Sequence, residues 1–174
     1  MKKIILLGLI GLLGGCTQAQ VDKMSAAKVV TSDFDGSQTI SSQTMPAYVK
    51  EGWNLRGVSF GAHWVTSAKG YVAFDVEFNN ATTNLNKLYL NIDGVISEHE
   101  TLGKMTKFRN NGAYNTSTNS FIVPLSVANK ILNSKNVKFK VTTLSDGARE
   151  GYLIEGDKVT PAAKSLINVI KQVQ

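Results

Sequence analysis

The stretch that most limits the fold is Tyr71-Val72-Ala73-Phe74-Asp75-Val76-Glu77-Phe78. Val72, Phe74, Val76 and Phe78 fall on one parity, and Tyr71, Ala73, Asp75 and Glu77 fall on the other. Successive side chains of a strand point to opposite faces, so this is the inside–outside code of a half-buried antiparallel strand.

The same period recurs along the chain. Val58, Phe60, Ala62 and Trp64 share one parity, with Ser59, Gly61 and His63 on the other. Gly57 and Gly61 within that run predict a bulge or a close backbone approach. Leu88, Leu90 and Ile92 form another alternating set, and Asp93-Gly94 directly before Val95-Ile96 predicts a two-residue hairpin turn, because a type I′ turn needs positive φ at both positions. Val137, Phe139 and Val141 alternate with Lys138 and Lys140, and Ser145-Asp146-Gly147 turns the chain into a partner strand over 148–154. Weaker signals mark short strands at 28–31 and 105–109, and Met45-Pro46 as a break or an edge position. Asn110-Asn111-Gly112 reads as a turn opening an Asn- and Thr-rich loop through Asn119, long enough to be a functional candidate. Ser126 is placed to cap a short helix over 127–132. Thr160-Pro161 starts a final helix whose Leu166, Val169, Ile170 and Val173 make one apolar stripe. Seven to nine short strands with these helices predict a mainly β fold: an antiparallel β-sandwich or strongly bent sheet, with a short internal helix and a C-terminal amphipathic helix. A β-barrel is the alternative.

The chain begins with Met1-Lys2-Lys3, an apolar and glycine run over 4–13, and then Gly14-Gly15-Cys16. Charged, apolar and small-residue regions in that order are those of a secretory signal peptide. The run is shorter than the roughly 20 apolar residues a transmembrane helix needs. Leu13-Gly14-Gly15-Cys16 resembles the lipobox of bacterial lipoproteins, with an aliphatic residue three before the cysteine and a small one just before it. The resemblance covers these sixteen residues and concerns processing. It implies a diacylglycerol on the Cys16 sulfur, cleavage after Gly15 and acylation of the new amine. It also implies a cell-envelope location, at the outer membrane in a Gram-negative host because Thr17 rather than Asp follows the cysteine. Cys16 is the only cysteine, so it has no disulfide partner within the chain. Two or more acyl chains hold a protein on a membrane stably where one does not.

The expected division is 1–15 signal peptide, 16–27 lipidated cysteine and flexible tether, and 28–174 a single globular β-rich domain. A hydrophobic content of 43% with 18% charged residues excludes a disordered chain. The formal charge of +6 includes Lys2 and Lys3, so removing the signal leaves +4. That mild basic excess suits anionic headgroups or glycans as well as plain solubility. Nucleic acid is not expected: export separates the chain from it, and no basic run interleaved with aromatics occurs.

Catalytic patterns are scarce. His63 and His99 are the only histidines, and neither has HExxH or comparable spacing; no Gly-x-Ser-x-Gly, phosphate loop or metal site is predicted, and no cofactor. Asp33-Phe34-Asp35-Gly36 lacks the remaining ligands of a calcium loop and reads as a turn. In Glu98-His99-Glu100 the two acids share a face and the histidine points away from them, as on a charged strand edge. Trp53, Trp64, Tyr48 and Tyr71 cluster in sequence near Arg56 and His63, and exposed aromatics stack on sugar rings or anchor protein partners. Trp64 is assigned to the core by parity; Trp53 and Arg56 are binding candidates. Lys138, Lys140 and Arg149 on the second hairpin are candidates for contact with anionic lipid or glycan, although outward lysines also protect an edge strand.

The expected function is that of a membrane-anchored envelope lipoprotein whose non-catalytic β domain binds a protein or glycan partner. The alternative is a small hydrolase or transferase acting on a cell-wall or surface polymer. A cleft where acids or a histidine converge marks the enzyme; an exposed aromatic or basic patch without one marks the binder. His63 or His99 beside a carboxylate in a pocket weighs against the binder.

Overall fold

The computed structural model describes residues 17–50, 57–103, 105–110, 112 and 114–174. Cys16 and the lipobox, Trp53 and Arg56 lie outside the described residues. No helix among them is long and apolar enough to cross a membrane.

Helix α1 (Gln18–Met24) leads into β1 (Lys28–Thr31), β2 (Gln38–Ser41), β3 (Met45–Pro46), β4 (Tyr48–Val49), β5 (Val58–Val65) and β6 (Tyr71–Asn79). Then come β7 (Leu85–Ile92), β8 (Val95–Glu100), β9 (Lys107–Asn110) and β10 (Asn115–Pro124). A short helix, α2 (Leu125–Ala128), runs into a 3-10 turn (Asn129–Asn133), followed by β11 (Asn136–Thr143), β12 (Ala148–Glu155), β13 (Lys158–Val159) and α3 (Pro161–Gln172). The strands form two curled antiparallel sheets. The first has the order β1-β2-β5-β6-β10-β9, with β3 also on β5; the second has the order β13-β12-β11-β7-β8, with β4 also on β12.

The sheets pack face to face, as the alternation predicts. Val72, Phe74, Val76 and Phe78 are all buried, and so are Val58, Phe60 and Ala62 from β5 and Val137, Phe139 and Val141 from β11. These residues join one continuous apolar cluster across both sheets. Phe60 of β5 meets Phe139 of β11 edge to face, with ring centroids 4.8 Å apart. Helix α3 packs mainly on β5 and β3 and buries Ala162, Ala163, Leu166, Val169 and Ile170. Thr160 caps it by accepting from the Ala163 amide, with Pro161 in the first turn.

Local chemistry explains the turns. Asp93 (φ 48°) and Gly94 (φ 95°) both occupy the left-handed region, and Ile92 pairs with Val95 across them, which is the predicted hairpin. Gly61 is a close approach: a Cβ there would lie 3.0 Å from the backbone of Gln43 and Thr44. At Asp33–Gly36 the Asp35 carboxylate is occupied locally, accepting from the Ser37 hydroxyl at 2.8 Å and its amide at 3.0 Å. The hydroxyls of Ser32 and Ser37 hold its pKa down to about 2. The segment is a turn, as expected.

Three expectations fail in instructive ways. The polar stretch 115–119 is the first half of β10 rather than a loop, paired with both β9 and β6. Its buried side chains form a hydrogen-bonded strip: Ser117 Oγ donates to Ala81 O (2.9 Å) and accepts from the Thr83 amide (3.0 Å), while Thr106 Oγ1 accepts from the Leu85 amide (2.9 Å) and from Asn119 Nδ2 (3.4 Å). Buried polar groups are tolerated when paired in this way. The internal helix starts at Leu125 after Pro124, so Ser126 lies inside it and caps nothing. Residues 18–24, expected within a tether, form α1 behind a Thr17–Gln20 capping box. Asp22 pairs with Lys164 of α3 at 2.7 Å, and Asn168 Nδ2 donates to Ser25 O at 2.9 Å.

Candidate functional site

On the outer face of the second sheet, period-two alternation sends Lys138 and Lys140 of β11 outward between buried Val137, Phe139 and Val141. Lys140 lies opposite Tyr89 of β7 and Glu150 of β12, and Lys138 lies opposite Asn91 and Tyr152. Lys138, Lys140, Tyr89, Asn91 and Glu150, with Lys50 beyond β4 and Ile96 of β8, line an open groove of about 460 Å³. Glu150 forms an ion pair with Lys140 at 3.2 Å and stands 3.7 Å from Lys50. Lys50 and Lys140 therefore share one carboxylate, and Lys138, which lines the same groove, has no ion-pair partner among the described residues.

An aromatic platform continues this face. Tyr48 of β4 pairs with Tyr152 of β12, and the rings stack with centroids 4.4 Å apart. Tyr48 is exposed. The pair adjoins a second hollow of about 750 Å³ walled by Pro46, Ala47, Val159 and Pro161. This close pairing of β4 on β12 requires Gly151, where a Cβ would sit 1.8 Å from Tyr48 O.

Arg149, expected beside the two lysines, is not on this face. It is 1% exposed, and its Nη1 donates to Gly57 O (3.0 Å) and Asn79 O (2.9 Å) at the far ends of β5 and β6. The guanidinium lies 4.2 Å over the Phe78 ring. Parity is the reason: Arg149 pairs with inward Val141, and Glu150 with outward Lys140.

The outer face of the first sheet holds a different cluster. His63 of β5 and Asp75 of β6 both point outward, and His63 Nδ1 lies 2.9 Å from Asp75 Oδ2 and 3.1 Å from Oδ1. Ser120 Oγ of β10 donates to Asp75 Oδ1 at 2.5 Å. The hydrogen bond from Asp75 holds the His63 pKa above its ordinary value, against burial. A cavity of about 370 Å³ next to His63 is lined by Val65, Ala68, Tyr71, Leu102 and Ile122, and is mostly apolar. Ser120 is bonded to the carboxylate and not to the imidazole, so the trio lacks the serine–histidine contact that activates a nucleophile.

His99 is 4% exposed. Its Nε2 meets Ser97 Oγ at 2.8 Å, and burial pushes its pKa down. Glu98 points outward, as expected, and pairs with Lys87. Among the described residues no group of three or more His, Cys, Asp or Glu side chains converges as a metal site. Trp64 packs against the core cluster, as its parity predicts.

Sequence reasoning found Lys138 and Lys140 and missed Lys50, Tyr89, Glu150 and Tyr152, which only strand pairing brings beside them. It placed His63 and Asp75 each on the outer parity of its strand without joining them; the missing step was the β5–β6 register. No family model matches the chain, and comparison with curated proteins and with solved structures returned no match.

Proposed function

We propose that the chain is a cell-envelope lipoprotein, held by lipid on Cys16, whose β domain binds an anionic glycan across the outer face of its second sheet without transforming it. In a Gram-negative host the anchoring membrane is the outer membrane. The observation that carries this reading is that Lys50, Lys138 and Lys140 line one groove whose lining holds the single carboxylate of Glu150, shared by Lys50 and Lys140, and that the Tyr48–Tyr152 stack continues the face. Lysines supply attraction to carboxylate or sulfate groups, and a tyrosine face supplies a flat apolar surface for a sugar ring.

The test is retention on immobilised polygalacturonate across a salt gradient. Exposed charge pairs contribute up to about 1 kcal/mol each and are screened by salt. Reversing two of the three lysines in Lys138→Glu/Lys140→Glu should therefore weaken retention on the order of tenfold. Unchanged retention of that variant would remove the groove from the binding face.

A second reading, an envelope hydrolase or transferase, is favoured by one observation, the His63–Asp75 pair beside a cavity. It predicts that the polymer is shortened or modified during incubation and that His63→Gln stops this. The binding reading predicts a polymer of unchanged length.

A further inference from the structure

We infer that the outer face of the first sheet is a binding site for a single-tailed carboxylate amphiphile, its apolar tail in the cavity beside His63 and its carboxylate at the His63–Asp75–Lys107 end. The inference is independent of glycan binding by the second sheet, and either can fail alone.

Two adjoining hollows carry it. The apolar cavity of about 370 Å³ has Val65, Tyr71, Leu102 and Ile122 in its walls, within the roughly 300–1,000 Å³ range of small-ligand sites. The neighbouring hollow of about 260 Å³ is lined by Asp75, Lys107, Thr118 and Ser120, and Leu102 lines both. His63 and Asp75 are bonded across the seam, one residue in each hollow. The combined shape is apolar at one end and polar at the other, which matches a molecule with a tail and a head.

The sign of the head follows from the charges. The charged groups on this face are Lys28 of β1, Asp75 and Glu77 of β6, and Lys107 and Arg109 of β9, and the neutral polar ones include Ser41 of β2, Ser59 of β5, and Thr118 and Ser120 of β10. Asp75 is already committed, accepting from His63 and from Ser120. Lys107 makes no ion pair among the described residues, yet it is near enough to His63 to oppose its protonation. His63 Nε2 has no hydrogen-bond partner among the described residues. Protonated His63 therefore offers one charge-assisted N–H, and Lys107 a second cation, to a ligand oxygen. A carboxylate satisfies both, and a cationic head would meet both with like charge.

The site is tested with octanoate as probe, following the His63 ring resonances and the heat of binding on the whole protein. Octanoate should bind about tenfold more tightly at pH 6, where His63 is charged, than at pH 9, the size of gain expected from one charge-assisted hydrogen bond. Octan-1-ol should bind with no dependence on pH. His63→Gln keeps a donor but cannot titrate, and should flatten the pH dependence. Leu102→Glu, at an exposed position shared by both hollows, should abolish octanoate binding while leaving the melting temperature unchanged. Equal octanoate affinity at both pH values would overturn the inference, as would full affinity in Leu102→Glu. So would acetate moving the His63 resonances as far as octanoate does, since the tail would then contribute nothing. Sedimentation with phosphatidylglycerol vesicles without any response to octanoate would assign the face to a bilayer surface instead.

Discussion

Replacing Arg149 with methionine isolates the contact that ties the second sheet to the ends of β5 and β6. The side chain is 1% exposed, and methionine keeps most of its aliphatic volume while deleting the guanidinium. The hydrogen bonds lost include those to Gly57 O and Asn79 O among the described residues. Bonds from charged donors contribute about 1.5–3 kcal/mol each. Gly57 O also accepts from the Asn79 amide at 2.9 Å, so it keeps a partner and the low end of that range applies. Losing the cation from the face of Phe78 costs about 0.5–2 kcal/mol more. Asp146, 3.7 Å away and 42% exposed, adds little because water screens it. Against these losses, a buried charge need no longer be stripped of water, and hydrophobic replacements of buried ions are for that reason often mild. The net expectation is a loss of about 3 kcal/mol, or about 6–12 °C in melting temperature for a chain of this size. Urea unfolding followed by circular dichroism measures it. Arg149→Lys should recover part of the loss, since it retains a charged donor. A methionine variant within about 0.5 kcal/mol of the parent would refute the reasoning, showing that desolvation of the guanidinium cancels its bonds.

Three further outcomes follow from other parts of the molecule. The two histidines should titrate in opposite directions from 6.5, His63 above it because Asp75 bonds to it and His99 below it because it is buried. Any stability His63 contributes is thus complete below pH 6.5 and is lost as pH rises through its raised pKa. For His99, stability is complete above pH 6.5 and is lost as pH falls toward its lowered pKa. Histidine-detected NMR reads both, and Asp75→Asn should bring His63 down while leaving His99 in place. Gly151→Ala puts a methyl group 1.8 Å from Tyr48 O, which must push β4 off β12 and cost about 3 kcal/mol; disruption of the Tyr48–Tyr152 stack should show in the near-ultraviolet circular dichroism. Cys16→Ala should abolish incorporation of radiolabelled palmitate, and persistent labelling would move the lipid to another residue.

The pattern of what the sequence revealed has a physical basis. Strands with an apolar parity, such as β6 and β11, were legible because burial on one face writes itself into every second residue. The first half of β10 was not, because Thr116, Ser117 and Asn119 are buried with hydroxyl and amide groups; the partners of Ser117 and Asn119, at Ala81, Thr83 and Thr106, lie outside the strand, so local composition reads as a loop. Helix α1 escaped notice for a related reason. It buries no residue, and what secures it is its cap and its contacts with Lys164 and Asn168. The groove on the second sheet was half legible: alternation showed that Lys138 and Lys140 face out, but not that Lys50 and Glu150 arrive from beyond β4 and from β12.

Register is what joins the core to the proposed binding face. Arg149 and Glu150 are adjacent on β12, and the β11 pairing sends the first inward opposite Val141 and the second outward opposite Lys140. A slip of one residue would exchange them, burying a carboxylate and removing the shared partner of Lys50 and Lys140. One irregularity adjusts the same strand: the register shifts between Val137 and Lys138, so that Val137 pairs with Ile154 and Lys138 with Tyr152. Leu153 is the extra residue, and Leu153 and Ile154 are both buried in succession, which strict alternation forbids. The bulge lets β12 meet the core at Ile154 and still turn Tyr152 outward onto Tyr48. The groove and the aromatic platform thus share one strand, with Arg149 anchoring one part of it and the bulge correcting the other, so changes in the core of β12 should alter the proposed binding face without touching any residue exposed on it.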